Sequence, residues 1–343
     1  MYEKLRPLLF KLDPELAHDL TLVLLRLAGW FWPAREILRR VYPGEKCRPV
    51  SFAGLEFPNQ VGLAAGYDKD GTAWRGLACL GFGHIELGTV TPRPQAGNPR
   101  PRIFRLPEQD GIINRMGFPG RGSGFLLERI PPRGFSLERD RVILGVNIGR
   151  NKDTPNQSAG EDYLACLRTF YSRADYIAVN VSSPNTIGLR ELQGRQYLHD
   201  LLWSLVAERD RLMAEGEKSL PLLVKLSPDL TDSELDEALE AVTASGVDGV
   251  VATNTTVQRE NLLGYDPGLA GGLSGRPLRE LSTEMIRKIR FRAGEKLPII
   301  GVGGISSARD AREKLDAGAD LVQLYSGLIY QGPSLVKEII TAL

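Results

Sequence analysis

Histidine and cysteine are scarce in this chain of 343 residues, with three of each. Cys47, Cys79 and Cys166 lie too far apart for a disulfide framework or a zinc site, and reduced thiols in a cytosolic setting are the simplest reading. His18, His84 and His199 make no metal cluster, so no metal is expected. An excess of charge is missing too. Forty-three Lys and Arg against 42 Asp and Glu leave +1, which gives no push toward nucleic acid. No apolar run is long enough to span a bilayer. The first residues carry Glu3, Asp13, Glu15 and Asp19 and no small-residue cleavage site after an apolar core, so they do not read as a signal peptide.

What remains is an ordinary globular composition, 42% hydrophobic and 25% charged. The length suits one large α/β domain with a small appendage, or two medium domains. From about residue 50 onward, short apolar runs alternate with helical patterns. The runs are "QVGLAA" (60–65), "HIELGT" (84–89), "VILGVN" (142–147), "YIAVNV" (176–181), "LLVKLS" (222–227), "GVVATN" (249–254), "PIIGVG" (298–303) and "LVQLYS" (321–326). Most lack strict alternation, as strands covered on both faces do. Between them, "TDSELDEALEAVTASG" (231–246) offers Thr231 as N-cap, Glu234 to complete a capping box and Gly246 as a stop. "SSARDAREKLDAGAD" (306–320) is built the same way.

Eight βα units predict an α/β fold, a (β/α)8 TIM barrel; a doubly wound sheet is the competing arrangement. The polar residues favour the barrel. Lys69, Thr89, Asn147, Asn180, Lys225, Thr253 with Asn254, Gly303 with Gly304, and Tyr325 with Ser326 end or follow the eight strands in turn. A barrel brings all these ends to one face, whereas an open sheet concentrates ligand groups at a switch point.

Residues 1–45 are expected to form a separate N-terminal helical segment, with the barrel over 46–343. Leu5, Leu8, Leu9 and Leu12 follow helical spacing, and Asp13-Pro14-Glu15 restarts a helix with a cap, a proline in the first turn and an acid at the positive end of the dipole. The following residues are apolar over a broad arc that ends in Trp30, Phe31 and Trp32, with Arg26, Arg35, Arg39 and Arg40 nearby. Two readings stand: a helical hairpin packed on the barrel, and an element at a membrane surface.

Six stretches carry chemistry. "IIGVGGISSARD" pairs two glycines with a following helix, and "YSGLIYQGP" supplies a second loop; together they suggest a phosphate site rather than a bare turn. Lys69 in "GYDKDG" and Lys225 in "VKLSPD" are cations near or within apolar strands. Each needs an ion-pair partner or an anionic ligand, and the ligand is the favoured reading. "GIINRMGFPGRG" (111–122) reads as a glycine-rich loop carrying Asn114, Arg115 and Phe118. Asn114 suits an amide or imide substrate because it both donates and accepts. "VNVSSPNT" (179–186) puts two serines at a strand end with no histidine nearby to make either nucleophilic. His84 opens a strand at the wrong end for a barrel site, and His199 lies in a helical pattern.

These motifs, with "GLAAGYDKDG", "GTVTPRPQAGNPRPR", "NRMGF", "GVNIG", "ATNTT", "GGLSGRPL" and "LVQLYSGLIYQGP", run in order along nearly the whole chain. Together they resemble the membrane-associated, quinone-using class 2 dihydroorotate dehydrogenases of pyrimidine synthesis. The resemblance implies an FMN-binding (β/α)8 barrel with a small N-terminal helical domain. It implies oxidation of dihydroorotate to orotate, with a proton leaving C5 and a hydride passing from C6 to the flavin. By position in the motif, Ser183 resembles the base, and Thr186 is a candidate to relay its proton. Lys69, Asn114, Asn180, Asn185, Asn254 and Thr255 resemble substrate ligands, together with Arg115, Met116, Gly117 and Phe118 of the same loop. Ala65, Gly66, Tyr67, Asp68, Lys69, Thr89, Asn147, Asn180, Lys225, Thr253, Gly275, Gly304, Tyr325 and Ser326 resemble FMN ligands. Pro119-Gly120 departs from the asparagine that many members carry after "NRMGF". Implied partners are dihydroorotate or orotate, a membrane quinone and the bilayer surface, at the cytoplasmic side of the cell membrane, with no obligatory protein partner. Two competing functions are a soluble relative that passes electrons to fumarate or NAD, and a non-catalytic membrane-surface barrel that binds a phosphorylated metabolite.

Overall fold

The computed structural model describes residues 2–42, 49–133, 142–262 and 268–343. Three helices come first: α1 (Tyr2–Leu9), α2 (Pro14–Trp30) and α3 (Trp32–Val41). Asp13 caps α2, its Oδ1 accepting the Glu15 and Leu16 N–H groups at 3.0 Å each. The expected boundary at residues 45 and 46, and Cys47, lie outside the described residues.

A hairpin follows, β1 (Val50–Phe52) and β2 (Leu55–Phe57), and then the barrel begins with β3 (Val61–Leu63) and β4 (His84–Val90). An excursion adds β5 (Ile103–Leu106) and β6 (Gly111–Asn114). The barrel resumes with β7 (Ile143–Ile148), β8 (Tyr176–Asn180), β9 (Leu222–Leu226) and β10 (Gly249–Ala252). After β11 (Gly272–Gly275) it closes with β12 (Ile299–Val302) and β13 (Leu321–Leu324). The closed order is β3-β4-β7-β8-β9-β10-β12-β13, with every neighbouring pair parallel. This is the (β/α)8 barrel, on the eight apolar runs expected for it. β4, β8 and β9 are buried at every position, as strands enclosed by helices on one side and core on the other must be.

The β1–β2 hairpin stops the lower end. Phe57 meets His84, at the start of β4, with ring centroids 5.3 Å apart, and Tyr176, at the start of β8, at 6.5 Å. The opposite, C-terminal end carries a small antiparallel sheet, β11-β6-β5. The stretch 111–122 is therefore not all loop. Its first four residues pair on both sides, with Asn114 opposite Ile103 and Gly272. Those partners are distant in sequence, and single-stretch reading cannot see them. Beyond β6, Gly120 and Gln95 exchange backbone hydrogen bonds at 3.0 Å, so the Pro119-Gly120 turn is pinned.

The helix Asp232–Ser245 begins with the expected Thr231–Glu234 capping box and ends at Gly246. Helix α2 docks on α4 (Trp74–Ala78) through two glycines. A Cβ on Gly29 would lie 2.6 Å from the Gly76 nitrogen, and one on Gly76 would lie 2.1 Å from the Leu25 oxygen. Glu15, at the start of α2, is buried between Arg102 at 2.7 Å and Arg100 at 2.9 Å. The outward face of these helices stays apolar: Leu8, Leu16, Leu27, Trp30, Phe31, Trp32 and Ile37 are all more than half exposed. The N-terminal helical layer thus has one face packed on the barrel and one uncovered. No helix among the described residues is long and apolar enough to cross a membrane.

Candidate active site

One cavity of about 430 Å³ runs from the C-terminal rim of the barrel to α1 and α2. At the rim its wall includes Lys69, Thr89, Asn180, Ser183, Lys225 and Asn254; at the far end it includes Leu5, Leu9, His18, Thr21, Leu24 and Leu25. This size lies within the range of small-molecule and cofactor sites.

At the rim, asparagines form the framework. Asn180 Nδ2 donates to Thr89 Oγ1 at 2.9 Å and to Asn147 Oδ1 at 3.2 Å. Asn254 Nδ2 donates to Asn180 Oδ1 at 3.2 Å and to Ser182 Oγ at 3.0 Å. Across the cavity, Asn185 Nδ2 donates to Asn114 Oδ1 at 3.0 Å. Strand ends hold Asn180, Asn254 and Asn114 in place, so each amide reaches the cavity from rigid backbone.

The two serines of "VNVSSPNT" differ sharply. Ser182 is completely buried and engaged by Asn180 and Asn254. Ser183 lines the cavity, and its Oγ accepts only the Asn185 N–H, at 3.3 Å. No carboxylate or imidazole hydrogen-bonds it among the described residues. Thr186 Oγ1, Thr255 Oγ1, Asn185 Oδ1 and Gln323 Oε1 are buried without a protein partner. Such groups are expensive unless a ligand or water meets them.

Two cations face the cavity. Lys69 Nζ donates to the Gly66 carbonyl at 2.6 Å. Burial, and then the Arg102 guanidinium, push its ammonium down to about 8, so it stays charged at neutral pH and gains from any bound anion. Lys225 is buried and lies 3.5 Å from Glu86, a carboxylate inside the barrel. Lys225 is thus ion-paired on one side and lines the cavity on the other. At the third corner of the rim, Gly303 and Gly304 take φ of 128° and 72°, and Ser326 Oγ lies 2.9 Å from Ser274 Oγ. Positive φ at two consecutive residues turns the backbone sharply and fits glycine.

Most of the residues singled out from the sequence line this one cavity: Ala65, Gly66, Tyr67, Lys69, Thr89, Asn114, Met116, Gly117, Phe118, Asn180, Ser183, Asn185, Lys225, Thr253, Asn254, Thr255, Gly275, Gly304, Tyr325 and Ser326. Thr186, the candidate relay, is buried off the cavity wall, and three of the expected ligands also stand elsewhere. Arg115 turns outward, donating to the Pro101 carbonyl at 2.9 Å and stacking over Phe104. Asp68 is buried below the wall, accepting the Thr72 and Ala73 N–H groups at 2.8 and 2.7 Å. Asn147 sits behind Thr89, whose Oγ1 donates to it at 2.5 Å. Among the leucines at positions 5, 8, 9, 12, 16, 20 and 24, Leu5, Leu9 and Leu24 line the cavity, as do Leu25 and Leu38. Leu8, Leu12, Leu16 and Leu20 face outward, because the apolar arc is wider than one neighbour covers.

Sequence reading passed over Glu86, Gln323 and Tyr176, which meet inside the barrel, and left His18 undecided. His18 lines the cavity 5.1 Å from the Tyr67 ring, and burial, then Lys69, lower its imidazole to about 3. A signal for Glu86 and Gln323 was present. Each is a polar residue in an apolar strand, the same anomaly that marked Lys225.

Comparison with known proteins gives one answer. Residues 49–343 match the family described as dihydroorotate dehydrogenase. The protein named dihydroorotate dehydrogenase (quinone) from Marinomonas sp. (strain MWYL1) is 51% identical over all of this chain and 96% of its own length. The same name is borne by a Thiobacillus denitrificans protein, 48% identical over all of this chain and 99% of its own length. A crystal structure of the Eimeria tenella DHODH in complex with ferulenol superposes with a TM-score of 0.85, at 37% identity, over 96% of this chain and 90% of that one. With the family matched across the whole barrel and the relatives matched from end to end, this chain belongs to the dihydroorotate dehydrogenase family, among its quinone-dependent members.

Proposed function

We infer that this protein oxidises dihydroorotate to orotate in pyrimidine synthesis and passes the electrons to a quinone. The observation that carries the reading is a continuous cavity, polar and cationic at the barrel rim and mostly apolar at the helical end. One chamber thus offers a site for a polar, anionic substrate and a route for an apolar acceptor. The quinone in the relatives' names favours that acceptor over fumarate or NAD.

FMN fits the chain's groups. The fit rests on a buried lysine facing the cavity, the glycine turn at 303–304 beside Ser326, and buried polar atoms that lack protein partners. Gly304 and Ser326 are suited to its phosphate. Ala65, Gly66, Tyr67, Thr89, Thr253, Gly275 and Tyr325 are suited to its body, and Lys225 to the ring. When bound, FMN supplies the hydride acceptor. Lys69 pairs with the substrate carboxylate, and Asn114, Asn180, Asn185 and Asn254 bracket the dihydropyrimidine ring, donating and accepting as an imide requires. Thr255 and the backbone of 116–118 complete that wall. Asp68 and Asn147 act from behind the wall, by holding the Lys69 loop and Thr89; Arg115 has no contact with the chamber.

Ser183 takes the C5 proton. A hydroxyl is a weak base, so its surroundings must help: the C–H is acidified by the adjacent carbonyl, and Ser183 itself is buried. The uncovered apolar face of α1–α3 suits attachment to a lipid surface, with quinone entering between α1 and α2. The test is the visible spectrum of the purified protein under anaerobic conditions. Flavin bands should bleach with dihydroorotate and return with quinone. A protein that stays colourless with added FMN, or whose bands ignore dihydroorotate, overturns the reading.

A further inference from the structure

Glu86 lies on β4 one layer below the rim, and no step above uses it. Its side chain is 0% exposed. Four donors converge on it. Asn147 Nδ2 at 2.8 Å and Lys225 Nζ at 3.5 Å reach Oε1; Gln323 Nε2 at 3.0 Å and Tyr176 OH at 3.2 Å reach Oε2. The Asn147 amide cannot be turned round, because its Oδ1 already accepts from Thr89 Oγ1 and Asn180 Nδ2. Asn147 Nδ2 and Lys225 Nζ have only hydrogens to offer, and Gln323 and Tyr176 donate as well; burial pushes the carboxyl up, but Lys225, Gln323 and Asn147 outweigh it and hold Glu86 below its usual range, as an ionised acceptor.

The neighbouring titratable groups are Tyr176 on β8 and His84 on β4. Burial, then Glu86, push the Tyr176 phenol well up, and burial pushes the His84 imidazole down to about 4. Both are uncharged near neutral pH. Asn147 on β7 and Gln323 on β13 carry no charge. Glu86 and Lys225 are therefore the two charges of this layer, and Glu86 is the one ion-pair partner of Lys225 among the described residues. Lys225 has three N–H donors and lines the cavity, so the ammonium joins the carboxylate below to whatever lies above.

An isolated buried ammonium is costly, and the oxidised isoalloxazine ring, being uncharged, offers hydrogen-bond acceptors but no counter-charge. We propose that Glu86 is the counter-charge that keeps Lys225 cationic while FMN is oxidised, so that the ammonium is in place before the ring becomes anionic. Glu86 is then a positioning residue that acts through Lys225, and the environment is organised before the electrons arrive. The inference rests on the FMN reading above. With Glu86 present, two electrons and one proton convert FMN to its reduced anion, the proton ends on N5, and Lys225 keeps its charge throughout. Without the carboxylate, Lys225 is neutral beside the oxidised ring and takes up a proton of its own as the ring becomes anionic, so two electrons bring two protons.

The experiment is the midpoint potential of the bound flavin as a function of pH above neutrality, in the full-length holoprotein. Wild type should show the slope of one proton per two electrons. Glu86→Gln should show two over part of the range, and Glu86→Asp should return toward one. Removing the cation should abolish the effect, so Lys225→Met and the double variant Lys225→Met/Glu86→Gln should both show one. A Glu86→Gln holoprotein with the wild-type slope overturns the inference. If Glu86→Gln alone fails to hold FMN, the double variant decides: recovered flavin supports the counter-charge, and no recovery reduces Glu86 to packing. A wild-type protein that binds no FMN would instead sink the cofactor reading, which is a separate outcome.

Discussion

The two ends of the cavity break the rule of apolar inside and polar outside in opposite directions. At the rim and in the layer just below it, Thr89, Asn147, Asn180, Ser182, Lys225 and Glu86 are buried. At the helical end, Leu8, Leu16, Trp30 and Trp32 are exposed. Burying a polar group is costly unless it is paired, so the rim residues form a continuous hydrogen-bonded net from Glu86 through Asn147 and Asn180 to Asn254. Exposing an apolar group imposes no such geometry. It leaves a surface that only an apolar environment relieves. The first end is therefore built to hold fixed shapes, and the second to meet a soft one. Away from both, at the barrel floor, His84 shows what happens when a buried polar group finds no partner: both ring nitrogens lack one.

Breaking the comparison at the rim has the largest expected effect. Ser183→Ala should slow flavin reduction by dihydroorotate by about 10²–10⁴-fold, the usual contribution of a general base. FMN content should be unchanged. Anaerobic stopped flow measures it, and a wild-type rate would remove Ser183 from its role.

The junction of the two ends comes next. Burial pushes the Glu15 carboxyl up, but the Arg102 and Arg100 guanidiniums outweigh it and hold the group below its usual range. Glu15→Gln leaves Arg102 buried without its partner and should cost about 3 kcal/mol. Because Glu15 ties α2 to the Arg100–Arg102 segment ahead of β5, the loss should show first as protease cleavage within residues 2–42, before global unfolding in urea. Cleavage at the wild-type rate would mean that the glycine contact with α4 holds the helix alone.

At the floor of the barrel, the His84 imidazole is lowered from 6.5 to about 4 by burial. The unfolded chain takes up this proton first, so the stability is present above pH 6.5 and drains away as pH falls toward 4. The loss reaches at most about 3 kcal/mol. Denaturant midpoints followed across that window should fall more steeply in wild type than in His84→Phe; parallel curves would show that the ring finds a partner after all.

The smallest effect on the fold belongs to the uncovered face. Trp30→Ser with Trp32→Ser should change unfolding stability by no more than about 0.5 kcal/mol per site, because neither side chain is packed. Co-sedimentation with anionic vesicles should fall markedly all the same. Unchanged sedimentation would assign the face to some other covering.

Strand after strand of the barrel was legible in the sequence, because a strand enclosed on both faces must be apolar throughout and its polar terminus then stands out. The same contrast exposed Lys69, Asn180 and Lys225. It would have exposed Glu86 too, had the argument applied to Lys225 been applied to "HIELGT". What stayed hidden was long-range pairing. The strand at 111–114 exists only because β5 and β11 flank it, and Arg115 turns outward because the Pro101 carbonyl and the Phe104 ring receive it there. The serines at 182 and 183 look alike in sequence. The approach of Asn254, 72 residues away, joins the local bond to Asn180 in tying up the first, while the second is left facing the cavity.

Sequence by itself determined the periodicities, the caps at Asp13 and Thr231, the family motifs and the breadth of the apolar arc on α2. These depend on residues within a few positions of one another, where backbone geometry is fixed and side-chain spacing is known. Tertiary structure alone decided which side of that arc is covered, which serine is free, and that a carboxylate on β4 stands opposite a lysine on β9, 139 residues apart. Those outcomes come from closing the barrel. Closure converts eight separate strand ends into one ring, and no local pattern encodes which neighbours a ring brings together.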